Sequence, residues 1–149
     1  MKIDILFFSG TGNTWWCARR LAKEFAERGH DAQEFSLETL TRERTAEIVQ
    51  ESDLLGLGYP VYGSDLPQPM KEFIEDFLPD LRTQVRPREE RTISGKALQS
   101  PKKIFVFCTQ LMFSGDGARI YQDTLKDKGY ETGWSIHFNM SNNICVTVL

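Results

Sequence analysis

The sequence predicts an α/β domain in which a parallel five-stranded sheet is covered by helices on both faces. Hydrophobic periodicity switches repeatedly between strand and helix along the chain, and glycine or proline interrupts it at most of the switches. One segment, residues 104–108, is apolar throughout, which is typical of a strand buried on both faces. Strands that alternate with helices require right-handed crossovers and therefore parallel pairing.

Each element follows from its own pattern and from the residues that end it. Strands are predicted over residues 3–8, 32–37, 54–59, 104–108 and 132–138, and helices over residues 14–28, 45–51, 67–79 and 117–128. In the first helix, Trp15 shares the face of Ala18 and Ala22, which predicts a core position for its indole. Pro60 is expected to end the pairing of the third strand because proline has no N–H to donate.

A charged segment at about 79–101 interrupts the pattern between the third helix and the fourth strand. It has five basic and three acidic residues and little apolar content. Long segments without a pattern are usually mobile loops or lids. Two interpretations stay open, a solvated insertion and a basic lid or docking segment. We expect residues 1–149 to form a single domain that carries this insertion, because the chain is too short for two comfortable domains.

Composition excludes several classes of protein. The net charge of −3 argues against a nucleic-acid binder, and no apolar run approaches the ~20 residues that span a membrane. The three cysteines, Cys17, Cys108 and Cys145, are distant and odd in number, which indicates a reducing cytoplasm and no disulfide framework or metal site. His30 and His137 have no neighbouring ligand or base pattern, so we expect structural roles and no hydrolytic chemistry.

The loop between the first strand and the first helix has the composition of an anion site. It consists of Ser9, Gly10, Thr11, Gly12, Asn13 and Thr14. Backbone N–H groups at a helix N-terminus lack intrahelical partners, and the helix dipole adds about half a positive charge there. Glycine allows close approach, and hydroxyls add donors. The loop has no Lys or Arg, so neutral donors would hold a phosphate, and it matches neither the Walker loop nor G-x-G-x-x-G.

This loop resembles the phosphate loop for flavin mononucleotide (FMN) in the flavodoxin family, whose pattern is T/S-x-T-G-N-T. Ser9 and residues 11–14 match that pattern without a gap. The resemblance implies a flavodoxin-like three-layer sandwich, with strand order 2-1-3-4-5 and FMN as the cofactor. Its family is expected to pass electrons in one-electron steps between the quinone, semiquinone and hydroquinone forms of the flavin.

Two later loops are similar to the flavin-binding loops of the same family. In the first, Tyr62 takes the place of an aromatic residue that packs on the flavin ring, and Gly63 that of a glycine whose peptide flips toward flavin N5. In the second, Phe113 takes the other stacking position, and Thr109 is a neighbour of the flavin edge. The FMN-binding residues implied are Ser9, Gly10, Thr11, Gly12, Asn13, Thr14, Pro60, Val61, Tyr62, Gly63, Thr109, Gln110, Phe113 and Gly115.

The leading hypothesis is therefore an FMN-binding electron carrier, and two alternatives stay open. One is an FMN-dependent NAD(P)H reductase of the same fold, and the other is an interaction module that has lost FMN. Residues 138–143 resemble flavodoxin domains fused to bacterial-type ferredoxins, except that Ser141 replaces a proline. This implies a redox partner protein such as a ferredoxin, whose cluster-binding cysteine run is absent from this chain.

The C-terminal segment is too short for the fifth helix that such a sheet requires. After the fifth strand only residues 141–149 remain, and their last six residues are rich in β-branched side chains. Either the chain is a truncated piece of a longer protein, or the uncovered sheet face is covered in another way. We expect the tail to pair as an extra strand or to mediate a homodimer, because exposed apolar faces are rare in monomers.

Overall fold

Five parallel strands form one sheet in the computed structural model, which describes residues 1–83, 101–111 and 115–140. The strands are β1 (Lys2–Phe7), β2 (Asp31–Ser36), β3 (Leu54–Pro60), β4 (Lys102–Gln110) and β5 (Tyr130–Asn139). Their order in the sheet is β2-β1-β3-β4-β5. The predicted α/β class and strand order are thus confirmed.

Among the described residues, four helices connect these strands. They are α1 (Asn13–Glu27), α2 (Arg42–Glu51), α3 (Gln68–Glu72) and α4 (Gln122–Asp127), with a 3₁₀ turn at Leu37–Thr39 and a π turn at Phe73–Phe77. The prediction that the fourth helix begins near residue 117 is wrong. Residues 115–121 form turns, in which the Arg119 N–H donates to the Asp116 carbonyl three residues back at 2.7 Å. The described helices include none with the length and hydropathy of a membrane span.

The sheet separates two hydrophobic cores. Helix α1 packs on one face, where Cys17, Ala18 and Ala22 meet Phe105 and Phe107. Helices α2, α3 and α4 pack on the other face. On the α1 face, the Trp134 ring of the edge strand β5 stacks on Phe105 with 5.6 Å between centroids, and 47% of Trp134 is exposed. The predictions for most of the charged insertion (84–100) and for the tail (141–149) concern residues outside the described ranges.

Glycines in β3 make room for aromatic rings of its neighbour β4. A Cβ added at Gly56 would lie 2.5 Å from Phe105 Cζ, and one added at Gly58 would collide with the Phe107 ring. Both rings are fully buried and belong to the core on the α1 face. Glycine in a strand interior weakens the strand, and here the two glycines are explained by this close approach of side chains.

We expect Gly58→Ala to lower the free energy of unfolding by about 1–3 kcal/mol, because the added methyl overpacks the core against Phe107. Urea denaturation followed by circular dichroism measures this change. Gly133→Ala in β5 is the matched control, since its Cβ would meet no atom closer than 3.8 Å. Equal effects of the two substitutions would show that the contact with Phe107 does not determine the choice of glycine.

Candidate functional site

The loop between β1 and α1 leaves the N-terminus of α1 open. Gly12 is the N-cap residue at φ 92° and ψ −17°, a left-handed conformation that glycine adopts without strain. No side chain caps the helix, and its first turn contains no acidic residue. The Gly12 N–H donates to Ser9 Oγ at 3.1 Å, and this bond folds the loop back on itself. The remaining first-turn N–H groups are therefore available to an anion.

Thr14 has a different environment from the rest of this loop. Its side chain is 1% exposed, and its Oγ1 lies 2.8 Å from Oγ1 of Thr109 at the end of β4. Thr109 is 3% exposed. The hydroxyl pair joins the loop after β1 to the end of β4, across the intervening strand β3.

The loop after β3 forms a tight turn that reaches the first loop. Tyr62 and Asp65 exchange two backbone hydrogen bonds of 3.1 and 3.2 Å, and the residues between them, Gly63 and Ser64, have φ of 61° and 67°. Tyr62 is 53% exposed. Its hydroxyl oxygen would lie only 2.9 Å from a Cβ added at Gly10, so the absence of a side chain at position 10 accommodates this ring.

The ion pair between Asp65 and Lys71 anchors the same turn to α3. The Lys71 hydrogen bond, together with the Leu66 N–H, holds the pKa of the Asp65 carboxyl below its usual value. The carboxylate therefore stays ionised at neutral pH and keeps its bond to Lys71.

The loop after β4 packs against the loop after β3. Gly115 has φ 50°, and a Cβ added to it would lie 2.7 Å from Ser64 Oγ. The Gln110 side chain donates from Nε2 to Asn139 Oδ1 at 2.8 Å, while its Oε1 is buried and has no hydrogen-bond partner among the described residues. Phe113, predicted to stack on a flavin, lies outside the described residues together with its two neighbours.

The structure thus brings most of the predicted site residues to one edge of the sheet. Three loops follow the adjacent strands β1, β3 and β4: residues 9–14, residues 61–65, and a third loop of which Leu111 and Gly115 are described. Contacts between their described residues, and with Thr109 at the end of β4, join them in pairs. The third strand ends at Pro60, as predicted. Pro60 is the last residue of β3, opposite Thr109, and the next N–H, from Val61, donates to the Thr109 carbonyl at 3.0 Å.

The sequence does not predict the exposed tryptophan that lies beside the first loop. Trp15 is 43% exposed and lines an open depression of about 280 Å³ with Ser9, Ser36 and Glu38, so its predicted core position is wrong. Trp15 lies in the first turn of α1. The guanidinium of Arg19 lies 5.5 Å from the centroid of its indole ring. The position of Trp15 directly after the loop could have indicated its exposure, because a residue at this position follows the open end of the helix and not its buried face.

In the described part of the chain, two cysteines lie inside the fold. Cys17 and Cys108 are buried, and burial raises the pKa of each thiol to about 11. Cys108 Sγ lies 3.4 Å from His137 Nδ1 and Cys17 Sγ lies 3.8 Å from Met140 Sδ. Within the described ranges, no cluster of His, Cys, Asp and Glu could hold a metal ion.

Comparisons with known proteins agree with this fold. The family model for flavodoxin matches residues 5–107, more than half of the chain, and the chain belongs to the flavodoxin family. No curated protein sequence matches it.

Solved structures share the fold at low sequence identity. Flavodoxin from Megasphaera elsdenii is 22% identical with a TM-score of 0.68, and the alignment covers 95% of this chain and 89% of that one. A flavodoxin from the domain Archaea is 14% identical with a TM-score of 0.67 and coverages of 95% and 87%. The flavodiiron core from Synechocystis sp. PCC6803 is 17% identical with a TM-score of 0.68, and this chain spans 31% of its length.

We expect the thiols of Cys17 and Cys108 to resist alkylation in the folded protein at pH 8. A pKa of about 11 leaves each thiol protonated at this pH, and the thiolate is the form that reacts. Peptide mass spectrometry after treatment with iodoacetamide, with and without urea, measures the modified fraction at each position. Rapid modification of Cys108 without urea would contradict its burial in the sheet.

Proposed function

We propose that the protein binds FMN at this edge of the sheet and transfers electrons through it. In this proposal the phosphate lies in loop 9–14, and the flavin ring lies against residues 60–63, Gln110 and Gly115. The open N-terminus of α1 carries the proposal, because it presents free N–H donors beside two further loops that contact it. Family membership supports the same cofactor.

The residues present fit the chemistry of FMN. A phosphate dianion needs several donors, and the loop supplies first-turn N–H groups and the hydroxyls of Ser9 and Thr11, with the dipole of α1 adding favourable charge. Gly10 accommodates the hydroxyl of Tyr62, which would lie 2.9 Å from a Cβ added there. The buried Gln110 Oε1, which lacks a partner in the described part of the chain, is an acceptor near the end of β4.

The chain's own contribution is binding and orientation. When bound, FMN would supply the redox chemistry. Tyr62 offers an exposed aromatic face for a flat ring, and the turn at Gly63 and Ser64 controls which peptide group faces it. Gly63 has no atom within 4 Å of an added Cβ, so its positive φ, and not crowding, is the reason for glycine there.

The site's surroundings support a protein partner in the proposed function. Trp15, Trp16, Tyr62 and Leu111 are large apolar side chains exposed at or beside the three loops. The partner we propose is a redox protein such as a ferredoxin or a ferredoxin domain, and the proposed compartment is the cytoplasm, where thiols such as Cys17 and Cys108 stay reduced. A homodimer through the tail remains a prediction.

The absorption spectrum of the purified protein tests the proposal and separates it from its alternatives. An electron carrier should bind added FMN and, once reduced, pass electrons to a one-electron acceptor while reacting slowly with NADPH alone. Fast bleaching by NADPH without an added reductase would favour the flavin-dependent reductase. A colourless protein that ignores added FMN would favour an interaction module and overturn the proposal.

Substituting Ser9→Ala together with Thr11→Ala should weaken FMN binding by about 3 kcal/mol or more, because each lost hydrogen bond to a charged group is worth about 1.5–3 kcal/mol. Quenching of flavin fluorescence measures the affinity. Thr83→Ala is the control, since this threonine donates to Asp80 in a turn away from the three loops. An unchanged FMN affinity in the double variant would place the phosphate elsewhere.

Gly63→Val should shift the first one-electron potential of bound FMN by tens of millivolts. A β-branched residue at φ 61° strains the turn by about 1–3 kcal/mol and so restricts its peptide groups, and 1.4 kcal/mol corresponds to about 59 mV for one electron. Spectroelectrochemical titration measures the potential. Ser64→Gly keeps the turn's freedom and should stay near the unsubstituted protein. Identical potentials for both variants would remove Gly63 from the flavin site.

A further inference from the structure

Two buried hydroxyls link the loop proposed to hold the phosphate with the end of β4. Thr14 Oγ1 and Thr109 Oγ1 are 2.8 Å apart, and neither residue is more than 3% exposed. Thr14 lies in the first turn of α1 and is separated from Thr109 by 95 positions in the sequence. Water has little access to the pair, so its hydrogen bonding is determined by the protein and by whatever binds beside it.

The pair can adopt two orientations of its shared hydrogen bond. Each hydroxyl carries one proton and can accept from others, so one proton lies between the two oxygens and the second points away from the pair. If Thr109 donates to Thr14, the proton of Thr14 is available to a ligand. If Thr14 donates to Thr109, Thr14 has no proton to offer.

We propose that Thr109 is a positioning residue, which holds Thr14 as a hydrogen-bond donor to the phosphate of the cofactor. This inference rests on the proposed function. An anion at the N-terminus of α1 selects the orientation in which Thr109 donates to Thr14 and Thr14 donates to the anion. The chain of two hydrogen bonds ends on a charged acceptor, and each bond polarises the other. Affinity for the phosphate thus depends on a hydroxyl in a different strand.

The comparison of FMN with riboflavin separates this role from a merely structural one. The two ligands share the flavin ring and ribityl chain and differ in the phosphate. A threonine that only supports the fold would affect both ligands alike. A threonine that acts through Thr14 on the phosphate would affect FMN alone.

The chain offers matched variants for this experiment. Thr109→Val removes the hydroxyl at nearly constant volume, and Thr109→Ser retains it. Thr45 is the control, because it is equally buried and its Oγ1 donates to the Thr41 carbonyl at the start of α2 at 2.8 Å. A cooperative thermal unfolding transition shows that each variant is folded. If Thr109→Val does not fold, Thr109→Ala removes the same hydroxyl and replaces it in the experiment.

We expect Thr109→Val to weaken FMN binding about fivefold to tenfold and riboflavin binding less than about twofold, with Thr109→Ser close to the unsubstituted protein. Thr45→Val should change the affinity for neither ligand. Thr14→Val removes the donor itself and should lower the affinity for FMN at least as much, again with little effect on riboflavin. Adding Thr109→Val to Thr14→Val should change little further, because Thr109 acts through the Thr14 hydroxyl.

An equal loss for FMN and riboflavin in Thr109→Val would overturn the inference, as would an unchanged FMN affinity. Additive effects of Thr14→Val and Thr109→Val would also contradict it. If the unsubstituted protein binds neither flavin, the proposed function fails instead. Inorganic phosphate, followed by amide NMR shifts of Gly12 and Asn13, then tests the positioning role alone: the affinity should fall in Thr109→Val, and an equal affinity would overturn it.

Discussion

The pairing of β1, β3 and β4 at the centre of the sheet is the constraint on which the candidate site depends. These strands are parallel, so their carboxyl ends share one edge, and the pairing continues past the strands where Phe8 N–H donates to Gly58 and Val61 N–H to Thr109. Helix α1 packs on one face and α3 on the other. The chain therefore leaves β1 and β3 in opposite directions, and this divergence opens a crevice at the edge, as in other open α/β sheets.

Glycines allow close packing both in the core and at the candidate site. In the core, the rings of Phe105 and Phe107 occupy the space over Gly56 and Gly58. At the site, the hydroxyl of Tyr62 approaches Gly10. In each case a bulky side chain of one strand or loop packs against a glycine of its neighbour. The two segments therefore lie closer together than a Cβ would allow. The turn at residues 62–65 consequently lies against both Gly10 and Gly115.

The sequence predicts the fold and the loops well, because both depend on local patterns. The apolar run of β4 and the small polar residues of loop 9–14 can be recognised from a few consecutive positions in the sequence. The pairing of Thr14 with Thr109 joins residues 95 positions apart and depends on strand order and register. The exposure of Trp15 was missed for a similar reason, since periodicity identifies a helical face but not whether the sheet extends beneath its first turn.

Backbone strain is concentrated where the proposed function requires a movable peptide. Ser64 is the one described residue other than glycine with positive φ, a conformation that costs a side chain about 1–2 kcal/mol. The surroundings hold it there: Tyr62 and Asp65 close the turn with two hydrogen bonds, Lys71 fixes Asp65, and Gly115 leaves room for the serine side chain. Gly63 adopts its positive φ without this cost, whereas Ser64 does not. A rearrangement that returned Ser64 to negative φ would therefore release strain. A ligand that bonds a reoriented peptide group would recover part of that strain, which couples the shape of the turn to what lies against Tyr62.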